Sequence, residues 1–353
     1  MFHPRIKGTY YEMGHRYGTI LYKYGFRVSE LPSEKLDFGR KSEKEVKRVF
    51  PEVLEQIQGF ADACHASYEQ LAALILSIGA FQVKPMCSVF ASFNGSDVVF
   101  GRNYDFYYSF KKYTGSYLTC PKGGYSSVGH SDIFVGRDDG VNEKGLAVAM
   151  TGVSEKIIKP GVTFILAVRY ALDKCASVKE SVKILSDVHF STTNNYLLAD
   201  KDGNIAVVEA SPERVRVRRP KDGNSFIVCT NHFLHPEMLE MENQAQRCWD
   251  SIPRYTAIYN TLGQQNGKID VKTAQQILSN HTGYVCSHQK NIKLGTLWSI
   301  IATLKKHQIL RAEGHPCKSK YKSDNRLNKL LSFEAIANRA QTSVREPMRH
   351  SDG

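Results

Sequence analysis

Residues 85–106 have the sequence PMCSVFASFNGSDVVFGRNYDF, and this stretch carries most of the fold prediction. Two runs rich in Val and Phe flank the dipeptide Asn94-Gly95. Asn-Gly between two such runs is the strongest short-range signal for a tight turn between paired strands. The stretch therefore predicts a β-hairpin with Cys87 near the start of its first strand.

The register of this hairpin decides which residue faces Cys87. A two-residue turn sets Cys87 opposite Arg102, whereas a four-residue loop sets it opposite Tyr104. Both registers bring the thiol close to Arg102, Asn103 and Asp105. The sequence alone leaves the two registers open, and both gather a thiol, a guanidinium and a carboxylate in one place.

Outside the hairpin, the spacing of apolar residues predicts helices before Cys87 and mostly strands after it. Helical spacing extends from about residue 42 to residue 83, with Pro51 and Gly59 as interruptions, and two further helices fit residues 162–187 with a break near Ala176-Ser177. The segment VKTAQQILSNH predicts a short helix, and GTLWSIIATL fits either a buried strand or a helix. The strand-like runs are GLAVAMTGV after the turn DDGVNEKG, then NNYLLAD, IAVVEAS, RVRVRR and SFIVCTN. This order predicts an α+β fold with mainly antiparallel pairing.

The composition is that of a globular protein with an excess of positive charge. Of 353 residues, 42% are hydrophobic and 23% are charged, and the formal net charge is +12. Such an excess requires an anionic partner to be considered. In the basic run RVRVRR, however, Arg214, Arg216 and Arg218 fall on one face of a strand, and no aromatic stacking pattern accompanies them. We therefore expect a solvated sheet face here and no nucleic-acid partner.

The cysteines and the N-terminus predict a soluble, cytoplasmic protein. The eight cysteines are scattered and form no C-x-x-C pair, which is typical of free thiols in a reducing compartment. No apolar signal-peptide core is present near Met1, and the longest apolar run, LAALILSIGAFQV, is too short to span a bilayer.

Several common catalytic motifs are absent from the sequence. It contains no G-x-G-x-x-G, no G-x-x-x-x-G-K-[ST], no H-E-x-x-H and no G-x-S-x-G. His281, Cys286 and His288 lie close together, but no fourth ligand follows at the spacing of a known zinc motif. The sequence therefore predicts no metal site.

Cys87 is the strongest candidate nucleophile, although an inert buried thiol is the common fate of a free cysteine. A thiol reacts as thiolate, so it needs a cation or a base nearby, and Arg102 can supply the positive charge. Asp105 would raise the pKa of the thiol, which suits it better to holding a protonated nitrogen. No histidine lies near the hairpin in sequence. If the chain were cut before Cys87, the new α-amino group, with a pKa of about 8, would be a suitable base.

Five short segments, in order, resemble a known enzyme family. MCSVFAS, GRNYDF, DGVNEKGLAVAM, CTNHF and SIPRY are similar to motifs of the N-terminal nucleophile cysteine hydrolases, which include choloylglycine hydrolases, penicillin V acylases and isopenicillin N acyltransferase. The resemblance extends from about Gly8 to Tyr321. The acyltransferase branch is the closer one, because GTYYEMGHRYG and FPEVLEQIQGFADA before the cysteine resemble its pro-segment.

The resemblance implies a four-layer αββα sandwich, the Ntn-hydrolase fold, and a precursor that cuts its own chain between Met86 and Cys87. It also implies roles for individual residues: Cys87 as nucleophile, Arg102 as support for the thiolate, Asp105 as holder of the α-amino group, Asn231 as holder of that amine or of the oxyanion, and Arg254 as part of the polar network. A second oxyanion donor is not assigned, since the region AMTGVS offers either Thr151 or a backbone N–H near Gly152. Met86 stands where precursors of this branch often have a small residue.

The function implied is a self-processing cysteine acyltransferase or amidohydrolase that forms a thioester at Cys87. Its substrate is a small acylated amide or thioester; no cofactor is required, and acyl-coenzyme A is a possible substrate. Amide hydrolysis of the choloylglycine hydrolase or penicillin V acylase type is the alternative within the mechanism. A non-catalytic, basic binding protein with an uncut chain is the alternative from another class. The expected division is a helical pro-segment or small subunit over 1–86 that stays packed, a catalytic core over 87–325 and a polar tail over 326–353.

Overall fold

The computed structural model describes residues 1–81, 85–221 and 223–333. In these ranges the α-helices include α1 Tyr10–Lys23, α2 Ser33–Val49, α3 Glu52–Cys64, α4 Tyr68–Leu76, α5 Phe164–Lys174, α6 Val178–Ser186, α7 Ser251–Gln264 and α8 Val271–Ser279. Residues 326–333, at the start of the expected polar tail, are also helical. The strands are β1 Arg5–Gly8, β2 Met86–Phe93, β3 Val98–Tyr107, β4 Gly115–Pro121, β5 Ser127–Ser131, β6 Asp139–Asn142, β7 Leu146–Gly152, β8 Asn194–Asp200, β9 Ile205–Ala210, β10 Val215–Arg218, β11 Phe226–Cys229, β12 His288–Gln289, β13 Leu294–Thr303, β14 Gln308–Glu313 and β15 Lys322–Ser323.

The strands form two sheets. The first sheet has the order β1-β4-β5-β6-β7-β8-β9-β10, and every pair in it is antiparallel except β1 with β4. The second sheet has the order β11-β2-β3-β13-β14-β15, with β12 also paired to β13, and all its pairs are antiparallel. Mainly antiparallel pairing, predicted from the strand pattern, is confirmed.

Three apolar clusters stack the elements into four layers. The first cluster joins helices α1–α6 to one face of the first sheet, through residues such as Ile57, Val168 and Val148. The second lies between the two sheets and contains Val89 and Ala149. The third joins the outer face of the second sheet to α7 and α8. The order is helix, sheet, sheet, helix, so the predicted four-layer αββα sandwich is confirmed.

The hairpin adopts the longer of its two possible loops. Phe93 pairs with Val98, and Cys87 therefore lies opposite Tyr104. The reason lies in the side chain of Asn94, whose Oδ1 accepts the backbone N–H groups of Ser96 at 3.1 Å and Asp97 at 3.0 Å. A short polar side chain that bonds ahead along its own backbone stabilises the four-residue loop.

The helix predictions before the hairpin are right in part. The break at Pro51 is confirmed, because α2 ends at Val49 and α3 begins at Glu52. Gly59, however, lies inside α3 rather than at an interruption. Helix α1 was not predicted as a helix, although Thr9 and Glu12 form a capping box at its start.

The later elements follow the sequence patterns closely. Helices α5 and α6 separate at Cys175–Ser177, as expected from the break near Ala176-Ser177. GTLWSIIATL is a strand, since it supplies most of β13. The segment DDGVNEKG is not only a turn, because its first half forms β6 and the reversal falls on the residues that follow.

The three arginines at positions 214, 216 and 218 are not a free basic face. Arg218 contacts the buried carboxylate of Glu209 at 2.9 Å, and Arg216 contacts Glu237 at 2.6 Å. Arg214 also has an acidic partner, in the segment that follows β11. These side chains are half-buried in ion pairs, rather than solvated as the strand pattern suggested.

The segment before Cys87 shares a sheet and an apolar cluster with the segment after it. Strand β1 pairs with β4, and helices α1–α4 pack in the first apolar cluster together with residues that follow Cys87. At the other end, Leu327 is buried between the sheets, and residues 334–353 of the expected tail lie outside the described residues. The described parts of the chain contain no helix with the length and apolarity needed to cross a membrane, and all eight cysteines are free.

Helices α1 and α3 touch through glycines, and this contact generates a stability prediction. A Cβ at Gly14 would lie 1.9 Å from the carbonyl oxygen of Gln56 in α3. Because backbone cannot move aside as a flexible side chain can, we expect Gly14→Ala to lower the free energy of unfolding by about 1–3 kcal/mol or more. The helical Gly263 in α7 is the matched control, since a Cβ there meets nothing within 4 Å.

For Gly263→Ala we expect unchanged stability or a gain of up to about 1 kcal/mol, from the lower entropy of the unfolded chain. Urea denaturation of both variants beside wild type measures the difference. Equal stability of Gly14→Ala and Gly263→Ala would contradict the close packing of α1 on α3.

Candidate active site

Cys87 lies near the start of β2 and points between the two sheets. Its side chain is fully buried in the inter-sheet cluster. Strand alternation puts Arg102 on the same face, two residues before Tyr104 on the neighbouring strand. The Arg102 guanidinium donates a hydrogen bond to the Cys87 sulfur at 3.3 Å. The structure thus brings together the thiol and the cation that the sequence predicted.

A buried network fixes Arg102. Its Nε lies 3.2 Å from a carboxylate oxygen of Asp139, and its Nη1 donates to the backbone carbonyl of Asp138 at 2.5 Å. Asp139 also contacts the His130 ring at 2.6 Å and accepts from the Trp298 indole at 3.0 Å. A buried arginine is tolerated where its charge is paired, as it is here with Asp139. Arg102 is therefore held in place beside the sulfur.

Burial dominates the electrostatics of Cys87. Loss of water contact raises the pKa of the Cys87 thiol to about 12. The Arg102 charge opposes this rise, while the carboxyl groups of Asp105 and Asp138 add to it. In the continuous chain the thiol is consequently protonated at neutral pH, with the guanidinium already placed to stabilise the thiolate.

The side-chain amide of Asn231 forms hydrogen bonds to the backbone on both sides of Met86. Its Oδ1 accepts the backbone N–H of Cys87 at 2.9 Å, and its Nδ2 donates to the carbonyl oxygens of Pro85 at 3.1 Å and Gly152 at 2.7 Å. Asn231 follows β11, and its own N–H donates to Ser251 Oγ at 2.8 Å. The side chain therefore binds the chain on both sides of Met86.

Arg254 supports the same peptide from helix α7. An ion pair with Asp250, at 2.8 Å, orients its guanidinium. From there it donates to Asn231 Oδ1 at 2.7 Å and to the backbone carbonyl of Cys87. Asn231 Oδ1 thus accepts from both Cys87 and Arg254, and the network expected around Arg254 is present in the structure.

Asp105 lies opposite Met86 in the hairpin register. Its Oδ1 accepts the Thr296 hydroxyl at 2.6 Å. Its Oδ2 is buried and has no hydrogen-bond partner among the described residues. Burial raises the pKa of Asp105 to about 7, against the opposing effects of Arg254 and Thr296. The carboxyl group therefore keeps one oxygen available close to the chain at Met86.

A β-bulge in β13 lets Thr296 contact Asp105 and Trp298 contact Tyr104, which are adjacent residues of β3. Thr296 pairs with Asp105 and Trp298 pairs with Tyr104, so Leu297 is the extra residue. In a regular strand, positions 296 and 298 would share a face. The bulge reverses the alternation, so the Thr296 hydroxyl reaches Asp105 while the Trp298 ring stacks on Tyr104 with centroids 3.7 Å apart.

Two cavities meet at Pro85. One, of about 350 Å³, is mainly apolar and is lined by residues that include Tyr104, Phe110 and Phe164. The other, of about 440 Å³, lies beside Met86 and Asn231, with lining residues that include Ser154, Glu155 and Gln246. The peptide before Cys87 thus separates an apolar cavity from a more polar one.

Thr151 is not brought to the Met86–Cys87 peptide. Its hydroxyl donates to the carbonyl of Thr230 and accepts from the Asn195 amide at 3.0 Å. Of the two candidates for a second oxyanion donor, the Thr151 hydroxyl is therefore engaged elsewhere. The carbonyl of Gly152, rather than its N–H, contacts the site through Asn231.

Sequence reasoning found the residues that contact Cys87 and missed those that hold them. The partners Asp139, His130, Thr296 and Asp250 were not predicted. Asp139 lies in DDGVNEKG, a segment whose sequence predicts a turn and gives no sign of a partner for Arg102. Asp250 lies four residues before Arg254, a spacing typical of ion pairs on one helix face, which was a usable signal. Thr296 becomes a partner only through the bulge.

Comparison with known proteins identifies the family of the chain. Residues 92–318 match the model of the family described as acyl-coenzyme A:6-aminopenicillanic acid acyl-transferase. The matched range begins five residues after Cys87 and contains the other four residues placed around it. No curated protein sequence is significantly similar to this chain.

Similar solved structures share little sequence with this chain. A mutant of the conjugated bile acid hydrolase of Clostridium perfringens is 16% identical, with a TM-score of 0.46, over 68% of this chain and 96% of that one. Penicillin V acylase of Agrobacterium tumefaciens is 18% identical, with a TM-score of 0.46, over 64% of this chain and 83% of that one. The family match, by contrast, spans more than half of the chain, and the protein therefore belongs to the acyl-coenzyme A:6-aminopenicillanic acid acyl-transferase family.

Proposed function

We propose that this protein is a self-processing cysteine acyltransferase or amidohydrolase, with Cys87 as its nucleophile. The observation that carries the proposal is the arrangement around one peptide bond. The Cys87 sulfur contacts Arg102 at 3.3 Å, while the N–H of the same residue is held by Asn231 at 2.9 Å. Arg102 thus holds the proposed nucleophile, the Cys87 sulfur, and Asn231 holds the proposed leaving group, the Cys87 nitrogen.

The first proposed reaction cuts the chain. The Cys87 sulfur attacks the carbonyl carbon of Met86, the C–N bond breaks, and the thiol proton passes to the departing nitrogen. The product is a thioester between Met86 and the sulfur, together with a free α-amino group on Cys87. Water then hydrolyses the thioester, which leaves a Met86 carboxylate and a free thiol. Asn231 Oδ1 is placed to hold the nitrogen throughout, because it already accepts its hydrogen.

Cleavage supplies the base that the continuous chain lacks. The α-amino group, with an ordinary pKa of about 8, can take the thiol proton when a substrate is attacked. Asp105 Oδ2, which has no hydrogen-bond partner in the described parts of the chain, is the proposed acceptor for one hydrogen of this amine. Arg102 then stabilises the thiolate, and the same thioester chemistry applies to an external acyl group.

The two cavities suggest how substrate would bind. We assign the acyl group to the apolar cavity, whose aromatic lining suits a hydrophobic chain or ring. The leaving group and the acceptor would occupy the cavity beside Asn231, which offers polar side chains. Each step uses groups of this chain, so no cofactor is assigned to it. The family name makes acyl-coenzyme A a reasonable donor to test, and a linear amide is the second.

The alternative of a basic binding protein receives little support from the surface charges. Arg218, Arg216 and Arg214 are paired with Glu209, Glu237 and Glu240, respectively, rather than presented to a ligand. A basic patch that binds phosphates needs guanidinium groups free to make those contacts. We therefore favour the enzyme.

Cleavage is tested by the intact mass of the denatured protein. We expect wild type to give two chains, residues 1–86 and 87–353, and Cys87→Ala to give a single chain because its nucleophile is missing. Cys229→Ala is the matched control: Cys229 is another buried thiol of the same sheet, opposite Val89. It should be cut as wild type is.

The opposite results are equally clear. A single uncut wild-type chain would remove the α-amino base from the mechanism. Two chains in Cys87→Ala would show that another protease makes the cut. Once cleavage is established, release of product from acyl-coenzyme A and from N-acyl amino acids, with and without an added amine, distinguishes transfer from hydrolysis.

Asp105 generates a prediction about pH. Its folded pKa of about 7 lies above the value of about 3.9 for an unfolded chain. At Asp105 the folded protein therefore binds more protons between these values, so the contribution of this group to stability falls as pH rises from about 4 to 7. We expect Asp105→Asn, made in the uncut Cys87→Ala chain, to gain stability relative to its parent over this range, by up to a few kcal/mol.

Urea denaturation of Cys87→Ala and of Cys87→Ala/Asp105→Asn at several pH values between 4 and 8 measures this difference. Other buried carboxyl groups titrate equally in both chains and cancel. The prediction is wrong if the stability difference between the two chains stays constant with pH, or if the chain with Asp105 becomes relatively more stable as pH rises. Either result would show that the carboxyl group is already ionised in the folded chain.

A further inference from the structure

Four cysteine and histidine side chains meet at the margin of the second sheet, away from Cys87. They are His281, Cys286, His288 and Cys317, and one nitrogen or sulfur from each lies within 4.8 Å of all the others. His281 and Cys286 lie between α8 and β12, His288 begins β12, and Cys317 follows β14. Within the described ranges, this is the group of His, Cys, Asp and Glu side chains arranged to hold a metal ion.

Two distances within the cluster are close to those of a tetrahedral site, and its four ligand atoms all lie within 4.8 Å of one another. His288 Nε2 lies 3.4 Å from Cys286 Sγ and 3.2 Å from Cys317 Sγ. Zinc binds sulfur at about 2.3 Å and imidazole nitrogen at about 2.0 Å, which places neighbouring ligand atoms of a tetrahedron about 3.3–3.8 Å apart. One ion therefore fits among these atoms with small adjustments of the side chains.

We propose that His281, Cys286, His288 and Cys317 bind one zinc ion in a structural site. Two thiolates and two imidazoles are a common ligand set of structural zinc, and four protein ligands leave no open position for a substrate. Both thiols lose their protons when the ion binds, so the site adds no net charge. The role assigned is to hold two loops together rather than to catalyse.

Neighbouring groups support the ligands. The His315 ring stacks on His288 with centroids 3.8 Å apart, and the Tyr108 hydroxyl lies 3.4 Å from His315 Nε2. The backbone N–H of Cys286 donates to the carbonyl of Asn280 at 2.8 Å, which closes the loop that carries two ligands. These contacts restrain the His288 ring and the loop that carries His281 and Cys286.

The position of the cluster explains what an ion would stabilise. The N–H of Ser287, next to Cys286, donates to Thr296 Oγ1 at 3.1 Å, and that hydroxyl donates to Asp105. The segment between α8 and β12 thus runs from the cluster to the partner of a candidate active-site carboxyl group. Zinc would fix this segment to the loop after β14, where short strands alone provide few backbone pairs.

Sequence reasoning missed the site for a physical reason. His281, Cys286 and His288 follow one another closely, but Cys317 lies 29 residues after His288. Strands β13 and β14 form a hairpin between them, and this hairpin returns the chain to β12. The expectation of no metal site rested on the lack of a fourth ligand at motif spacing, and folding supplies that ligand.

The test is the metal content of the protein purified without chelator or affinity metal. We expect about one zinc per chain in wild type and in Cys120→Ser, a control with the same chemical change at a thiol of the first sheet. Cys317→Ser and His281→Ala should lose most of the zinc. His281 is exposed, so its replacement is not expected to unfold the protein. Chelation should lower the Tm of wild type and leave that of Cys317→Ser unchanged.

A measurement on wild type alone guards against variants that fail to fold. Cobalt added to the chelated protein should give the visible absorption of a tetrahedral ion with thiolate ligands. Wild type that neither contains zinc nor takes up cobalt would overturn the proposal. So would a Cys286–Cys317 disulfide in the protein as isolated, or equal zinc in wild type and Cys317→Ser. None of these results depends on whether the chain is cut at Cys87.

Discussion

The side-chain amide of Asn231 is the contact on which the geometry around Cys87 depends. An asparagine amide can donate two hydrogen bonds and accept two, and Asn231 uses all four. It donates to Pro85 and Gly152 and accepts from Cys87 and Arg254. Because the group is buried, leaving one of these bonds unmade costs about 1–3 kcal/mol. The chain around Cys87 is therefore tied at once to the first sheet, through β7, and to helix α7.

Burial, more than any single charge, sets the chemistry of this region. It is the largest influence on the pKa of Cys87 and on that of Asp105, and it raises both. Asp139 shows the converse: burial alone would raise its pKa, but His130 and Arg102 outweigh that effect and lower it. The inter-sheet layer thus holds an ionised pair, Arg102 with Asp139, beside a thiol that burial keeps protonated, and burial also favours the neutral form of Asp105. In the uncut chain, Arg102 therefore lies beside a thiol that is still protonated. Under the proposed mechanism, the α-amino group formed by cleavage would accept the thiol proton.

Two details decide which groups meet, and both depend on the pairing of strands. The bulge at Leu297 turns Thr296 toward Asp105 and Trp298 toward Tyr104. The hairpin of β13 and β14 brings Cys317 back to the histidines and the cysteine beside β12. Neither feature has a signature within a few residues of sequence. Both lie along the same strand, so the packing of β13 influences the candidate active site and the candidate zinc site together.

The sequence by itself determined most of the helices, the strands from β7 to β11, the hairpin at Asn94-Gly95, and the proximity of Cys87 to Arg102 and Asp105. Apolar periodicity and turn chemistry act over a few residues, so they can be recognised without a structure. It did not determine strand β1, which pairs with the distant β4, the side-chain partners of Arg102, or the approach of Cys317 to His288. Those depend on contacts between residues far apart in the chain, such as Cys87 and Asn231, which are separated by 144 positions. Only the packing of two sheets between two layers of helices brings such residues within hydrogen-bonding distance, and that packing follows from burial of the whole core.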